Sequence, residues 1–268
     1  MLAVVDKAVS KALYNSIKVR KIAELFPHER TIPKRVEREG GELIFDSKEG
    51  VYFPIVVESS GVILDGMHRH AVAKKLGLGA LIVQEVDYAS QDVMLARWCR
   101  RFKNVNNGQV ERVVRKYGMV KSDGETSGRR IRYGKAHFVF PTSMHIRREL
   151  EFLNEIERDL GITEDCYVGE DCPETNLDEF SLVIYPPLIS KTEVVFTARA
   201  GRAYPPKSTR HKFLQRISIK DDEFQQDSLR DFNTTQQYLQ YVKRHSQIEY
   251  LGDDSKLGKK YQIVVRRQ

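Results

Sequence analysis

Cysteine is scarce in this chain. Three occur in 268 residues, Cys99, Cys166 and Cys172. No two stand as a C-x-x-C pair, so neither a zinc site nor a disulfide framework is indicated. A reducing, cytoplasmic compartment is the simplest expectation, although Cys166 and Cys172 lie close enough in a loop-like stretch to pair. Long apolar runs are missing as well. None approaches the about 18 residues of a membrane-crossing helix, so no transmembrane helix is expected. The opening "MLAVVDKAVSKALYNS" has neither the apolar core nor the small-residue cleavage site of a signal peptide. There is no internal repeat, coiled coil or low-complexity tract. The Walker pattern G-x-x-x-x-G-K-[ST] is also absent, which excludes the commonest phosphate loop. Tryptophan occurs once, at Trp98. A single indole serves as a core or interface anchor, or as one wall of a substrate pocket.

What is present is ample apolar and basic material. Apolar residues make up 41%, enough for a buried core, and the length suits one large domain or two small ones. The formal charge of +7 favours an anionic partner: nucleotide, nucleic acid or membrane surface. Charge alone does not choose among these, and a solvated basic surface produces the same balance.

The hydrophobic pattern predicts alternating strands and helices. Strands are expected over residues 16–25, 52–59, 61–65, 80–88 and 92–98. A short helix is expected over 32–39, with Pro33 near its start and Gly40-Gly41 ending it. Another spans 67–76, with Ala71, Val72 and Leu76 on one side and Gly77 as its stop. A helix over 107–118 carries Val110, Val113 and Val114 as its apolar stripe. The polar, glycine-containing stretch 119–136 reads as a hairpin or mobile loop and is the best domain boundary. Beyond it come a strand at "HFVFP" and a helix over 143–160, with Ile146, Leu150, Leu153, Ile156 and Leu160 at helical spacing. A strand at 181–187 and a helix over 190–201 follow, the helix opened by the capping-box pair Ser190 and Glu193. The remainder alternates: strand "RISIKDD", a helix around 234–245, and strand "YQIVVRR". This mixture gives the expected fold class, α+β (mixed α/β) with a mixed sheet. The expected division is a first domain over 1–118 and a second α/β lobe over 119–268.

Three clusters carry candidate chemistry. The first is "LDGMHRHAVAKKLG", residues 64–77, where a strand turns into a helix. A helix start offers unpaired backbone N–H groups and a partial positive charge. Gly66 leaves room for a ligand, and His68 and Arg69 add donors, so the stretch suits a phosphate. Asp65 has the chemistry to hold Mg²⁺, which takes one or two carboxylates plus phosphate oxygens. It also has the chemistry of a plain N-cap, with His68 a surface residue. The second cluster is "PPKSTRHKF": Lys207, Ser208, Thr209, Arg210 and His211 are consecutive polar donors suited to an anion, or simply an exposed basic loop. The third is "PHER", where the Glu29 carboxylate, flanked by His28 and Arg30, has the chemistry to take a proton from a substrate hydroxyl.

The order of these motifs carries a resemblance. "SIKVRKIAELFPHER", "YFPIVV" and "GVILDGMHRHAVAKKLGLGALIVQEVDY" together resemble the ParB/sulfiredoxin-like superfamily. Within it the chain is similar to the free L-serine kinases. That family joins a His-Glu pair (here His28-Glu29), a D-G-x-H-R loop (Asp65-Gly66-Met67-His68-Arg69) and a distant Pro-Lys-[ST]-Thr-Arg-His segment (Pro206 to His211). The likeness runs to about His211; Met67 stands where some members have a second histidine, and the tail after Phe213 is longer than expected.

The resemblance implies a small-molecule kinase that moves a phosphoryl group from ATP or ADP to the hydroxyl of free L-serine, giving O-phospho-L-serine. Threonine or another small hydroxy amino acid remains an alternative acceptor. The product would enter amino-acid biosynthesis, cysteine synthesis among the options. Glu29 is the implied catalytic base, with Asp65 acting through Mg²⁺ or on the substrate hydroxyl. Gly66, Met67, His68 and Arg69 would cradle phosphates, and Ser208, Thr209, Arg210 and His211 would clamp them from a second lobe that closes on the ligands. Lys207 and Trp98 are assigned to the substrate. The rival is a ParB-type, nucleotide-dependent DNA-binding protein, supported by "RWCRRFK", "RVVRK" and "GRRIRYGK". No convincing helix-turn-helix follows Trp98, so nucleic acid is not the expected partner. Sulfiredoxin chemistry would need a cysteine in the phosphate loop, where Met67 stands.

Overall fold

A computed structural model describes residues 5–122, 130–140, 145–160, 167–169, 181–254 and 258–265. The chain divides into two compact units. The first comprises Met1–Met94, Lys191–Ala203 and His211–Gln268; the second comprises Leu95–Ser190 and Tyr204–Arg210. A cut at residue 118 follows neither. The polar stretch that suggested it belongs to the second unit, where its described parts Val120–Ser122 and Arg130–Tyr133 are strands of one sheet.

The first unit holds two five-stranded sheets. One runs in the order Ile17–Lys21, Ala80–Val86, Ile55–Glu58, Val62–Asp65, Phe26–Pro27. Its pairings are mixed: Ile55–Glu58 lies parallel to Ala80–Val86, and Phe26–Pro27 parallel to Val62–Asp65, while the other two are antiparallel. The apolar run 52–59 was expected as one strand. Pro54 divides it, because proline brings no N–H to a ladder. Val51–Tyr52 therefore joins the other sheet, and only Ile55–Glu58 stays in this one. The second sheet runs Ser246–Asp254, Gly258–Val265, Gln215–Lys220, Val51–Tyr52, Phe45–Asp46. Its pair Gln215–Lys220 and Gly258–Val265 is parallel.

One core serves both sheets. Ile17, Ile55, Val57, Ile63, Ile82 and Val83 meet Ile217, Ile219, Leu239, Val242 and Ile263 in a single buried cluster. The tail after Phe213, unaligned by the motifs, thus completes the unit that the first residues begin. Its helix Phe232–Arg244 is capped by Asp231, whose carboxylate accepts from the Thr234 N–H at 2.9 Å. It buries Thr235, Leu239 and Val242 and lies against strands Ile17–Lys21 and Ala80–Val86. A helix at Lys7–Ser16, capped by Asp6, and the strand Ser246–Asp254 were not anticipated. In helix Met67–Lys75 the buried side is His70, Val72 and Ala73, one step round from the expected face, and Leu76 is exposed.

The second unit has a six-stranded antiparallel sheet, ordered Val120–Ser122, Ala136–Val139, Arg130–Tyr133, Leu182–Tyr185, Trp98–Phe102, Tyr167–Gly169. The expected strand 92–98 is two, Val93–Ala96 and Trp98–Phe102. Helix Ile146–Leu160 buries Leu150, Leu153 and Ile156 as its spacing predicted. It also carries Glu157, whose carboxylate accepts from the buried Arg100 Nε at 2.5 Å. Helix Asn107–Lys116 opens with a reciprocal capping box between Asn106 and Gln109. Cys99 is buried; Cys166 and Cys172 lie outside the described residues, so their suggested pairing does too.

Among the described residues no helix is long and apolar enough to cross a membrane.

Candidate active site

The first unit contains the first and third sequence clusters and the end of the second, from His211. Phe26–Pro27 runs parallel to Val62–Asp65, with Phe26 opposite Val62 and Pro27 opposite Ile63. Glu29 and Asp65 each lie two positions beyond that last pair, so both chains deliver a carboxylate toward the same end of the sheet. The His28 imidazole is fully buried, and its Nδ1 donates to the Ile63 carbonyl at 2.5 Å. A carbonyl only accepts, so Nδ1 carries a proton and Nε2 turns toward Glu29, 3.6 Å from Oε1. Glu29 itself is buried.

Asp65 is held from two sides. Arg69 Nη2 donates to its Oδ2 at 2.8 Å, and Arg216 Nη2 to the same oxygen at 2.7 Å. The packing of protein around the carboxyl raises its pKa. The charges of Arg216 and Arg69 outweigh that and hold the group well below the usual carboxylate range. The Asp65 side chain keeps 41% of its accessible surface, so water screens part of this attraction.

Arg69 was expected to meet phosphate. Its Nη1 instead donates to the carbonyls of Phe53 and Pro54 at 2.8 and 2.9 Å, and its Nη2 holds Asp65. Its guanidinium therefore works on the protein, fixing the Pro54 sheet crossing to the Asp65 turn. The His68 Nε2 accepts from the Ile32 N–H at 3.0 Å, at the start of helix Pro33–Glu39. The Met67 side chain packs against the core. What the turn offers a ligand is backbone. Gly66 is the N-cap of helix Met67–Lys75 with φ 102°, no side chain caps that helix, and no acid stands in its first turn.

His211 joins this group within the first unit. Its ring meets His28 edge to face at 5.1 Å and stacks with Phe213 at 6.0 Å. Tyr88 lies 2.7 Å from His211 Nε2. Burial and the charges of His28 and Lys191 push the His211 imidazole well below its ordinary value, against the opposing pull of Asp65. Arg216 and Tyr88 were missed by the sequence reading. One arginine in an alternating strand and one tyrosine after another give no local signal; only their position in the sheets brings them here.

The second unit carries the rest. Lys207 stands at φ 62°, a left-handed position uncommon for a residue with a side chain. Its Nζ lies 4.7 Å from the Trp98 ring centroid, and the Arg210 Cζ lies 4.9 Å from the same centroid. Trp98 is thus a platform for two cations. Ser208 is buried and its hydroxyl donates to the Pro205 carbonyl at 2.8 Å; Thr209 and Arg210 are buried too.

Among the described residues no group of three or more His, Cys, Asp or Glu side chains forms a ready metal cage. The residues fit a cation that arrives with its phosphates: Arg69 and Arg216 share Oδ2 of Asp65, which leaves Oδ1 as a carboxylate ligand.

Comparison with known proteins gives the family. No protein-family model matches the chain. Among solved structures, a variant of a free serine kinase in complex with ADP superimposes with a TM-score of 0.57, at 22% identity, covering 73% of this chain and 87% of its own. SbnI with a C-terminal truncation, from Staphylococcus aureus, superimposes with a TM-score of 0.66 at 15% identity, covering 86% and 97%. The fold is therefore one found in solved free serine kinases. The ADP-dependent L-serine kinase SerK of Thermococcus kodakarensis is 30% identical over 200 residues, 69% of this chain and 82% of that one. The chain belongs to the L-serine kinase family.

Proposed function

We propose that this protein transfers a phosphoryl group from ADP or ATP to the hydroxyl of free L-serine, yielding O-phospho-L-serine. The observation that carries this reading is the convergence of Glu29 and Asp65 on one end of a sheet, at a helix start whose backbone N–H groups are uncapped. Phosphoryl transfer needs positioning and charge neutralisation more than covalent help. Glu29 is the base that takes the serine hydroxyl proton, and His28, locked by Ile63, orients it. The backbone of Gly66 to Arg69 receives phosphate oxygens. Asp65, clamped by Arg69 and Arg216, stays charged across the working range of pH and would be the carboxylate that holds Mg²⁺. The cation would neutralise phosphate charge.

Ser208, Thr209, Arg210 and His211 are assigned to phosphate on their motif order, and Lys207 and Trp98 are assigned to the amino-acid substrate. The strand–Asp-Gly–helix unit is assigned to the ParB/sulfiredoxin-like type on the same ground. Cytoplasmic residence rests on the few cysteines.

The test is an acceptor screen on the purified chain with Mg²⁺, ADP or ATP, and free serine, threonine and homoserine. O-phosphoserine as the main product is expected; nucleotide turnover indifferent to serine would overturn the reading. Glu29→Gln is expected to lower kcat by at least a hundredfold, about 2.7 kcal/mol in the barrier, while nucleotide affinity changes little. Activity within tenfold of the parent would show that Glu29 is not the base.

A further inference from the structure

Tyr88 borders the site through His211 but has no role in the reaction proposed above. It follows strand Ala80–Val86 and is buried. Its phenol oxygen lies 2.7 Å from Nε2 of His211, with the ring centroids 5.5 Å apart. The phenol is held in place: Lys191 Nζ sits 5.2 Å from the centre of its ring and donates to the Ser90 carbonyl at 2.8 Å. Burial, with the Glu58 charge adding to it, raises the phenol, so the oxygen keeps its proton at any physiological pH. His211 is pressed the other way and keeps a single ring proton.

Two neutral partners thus share one short hydrogen bond. A phenol O–H is a strong donor, and an unprotonated imidazole nitrogen is a better acceptor than a phenol oxygen. The stable arrangement is Tyr88 donating to Nε2, which places the ring proton on Nδ1. Among the described residues the Nδ1 edge of His211 has no hydrogen-bond partner. It is the edge left to a ligand, in a ring set between His28 and the field of Asp65.

We propose that Tyr88 is a positioning residue that keeps the His211 proton on Nδ1, so that His211 meets the transferred phosphoryl group as a hydrogen-bond donor. The assignment of the ligand rests on the kinase reading above; the assignment of the tautomer does not. A neutral donor suits a phosphoryl oxygen, since it follows the charge as it redistributes without adding a proton to the nucleotide. With the proton on Nε2, His211 would turn a lone pair toward an anion and repel it.

The experiment uses the full chain labelled with ¹⁵N-histidine. Long-range ¹H–¹⁵N spectra at pH 7.5 distinguish the two tautomers and the imidazolium. The His211 signals, among seven histidines, are assigned by their loss in His211→Gln. The parent is expected to show Nδ1–H. Tyr88→Phe, which keeps the ring and removes only the hydroxyl, is expected to give a mixture of tautomers. Its kcat should fall about tenfold, about 1.4 kcal/mol in the barrier, with KM for nucleotide changed less than threefold. A parent His211 protonated on Nε2, or on both nitrogens, overturns the proposal without reference to any variant. So does a Tyr88→Phe chain with unchanged tautomer and unchanged kcat. A tautomer that shifts as expected, in a chain that phosphorylates no hydroxy amino acid, sinks the kinase reading and leaves the Tyr88–His211 assignment standing.

Discussion

At Gly66 two demands meet in one residue. Its φ of 102° lies where side chains are strained. A Cβ there would also stand 2.5 Å from the Ile55 Cγ2 and 3.1 Å from the Arg69 Cζ. Gly66→Ala is therefore expected to lose about 1–3 kcal/mol of stability in urea unfolding, through strain and overpacking together. Nucleotide affinity should fall with it, because the displaced Arg69 no longer fixes Asp65. A variant as stable as the parent would mean that the turn is free to rearrange. The motif around Gly66 was legible in the sequence, since an Asp-Gly step between an apolar run and a helix is hard to mistake. The work of its individual side chains was not. Arg69 reads as a phosphate ligand by residue type, yet the carbonyls of Phe53 and Pro54 claim it. Those acceptors become visible only once Pro54 has broken its strand. Arg216, which takes the other side of Asp65, lies far along the chain in a strand of ordinary alternation.

Among the elements, helix Phe232–Arg244 repays attention. Its apolar spacing was plain from the sequence, but its partner was not. It closes over strands Ile17–Lys21 and Ala80–Val86, one of which continues toward Tyr88. Leu239 is 2% exposed and sits in the shared core. Leu239→Ala is expected to cost about 2–5 kcal/mol, the usual range for emptying a packed leucine site. Chemical denaturation followed by circular dichroism measures it, and a loss below about 1 kcal/mol would mean that the helix is loosely docked. The long helix Ile146–Leu160 was similarly readable, because five apolar residues at helical spacing leave little choice. Short strands were the opaque part. Phe45–Asp46 and Val51–Tyr52 are two residues each. They exist because Gln215–Lys220 arrives from the tail to pair with Val51–Tyr52, and no local pattern announces a partner that distant.

For the whole molecule, the order of residues along the chain and the order of parts in space diverge. The backbone leaves the first unit after Met94, returns at Lys191, leaves again after Ala203 and returns at His211. A division by sequence into 1–118 and 119–268 assumes one passage. A fragment of residues 1–118 would keep Ile17, Ile55, Ile63 and Ile82 but lose Ile217, Ile219, Leu229, Val242 and Ile263, which complete the same core. It is expected not to fold: no cooperative unfolding transition, and poorly dispersed amide signals in a proton–nitrogen spectrum. A fragment that melts cooperatively would show that the tail is dispensable. The strand Gly258–Val265 draws a further consequence. It lies inside its sheet, flanked by Ser246–Asp254 and Gln215–Lys220, so the residues made first must wait for those made near residue 265. Until those tail strands are made, Ile17, Ile55, Ile63 and Ile82 have no finished core to join. A cell that makes this protein has to shelter them until the strand at residues 258–265 has left the ribosome.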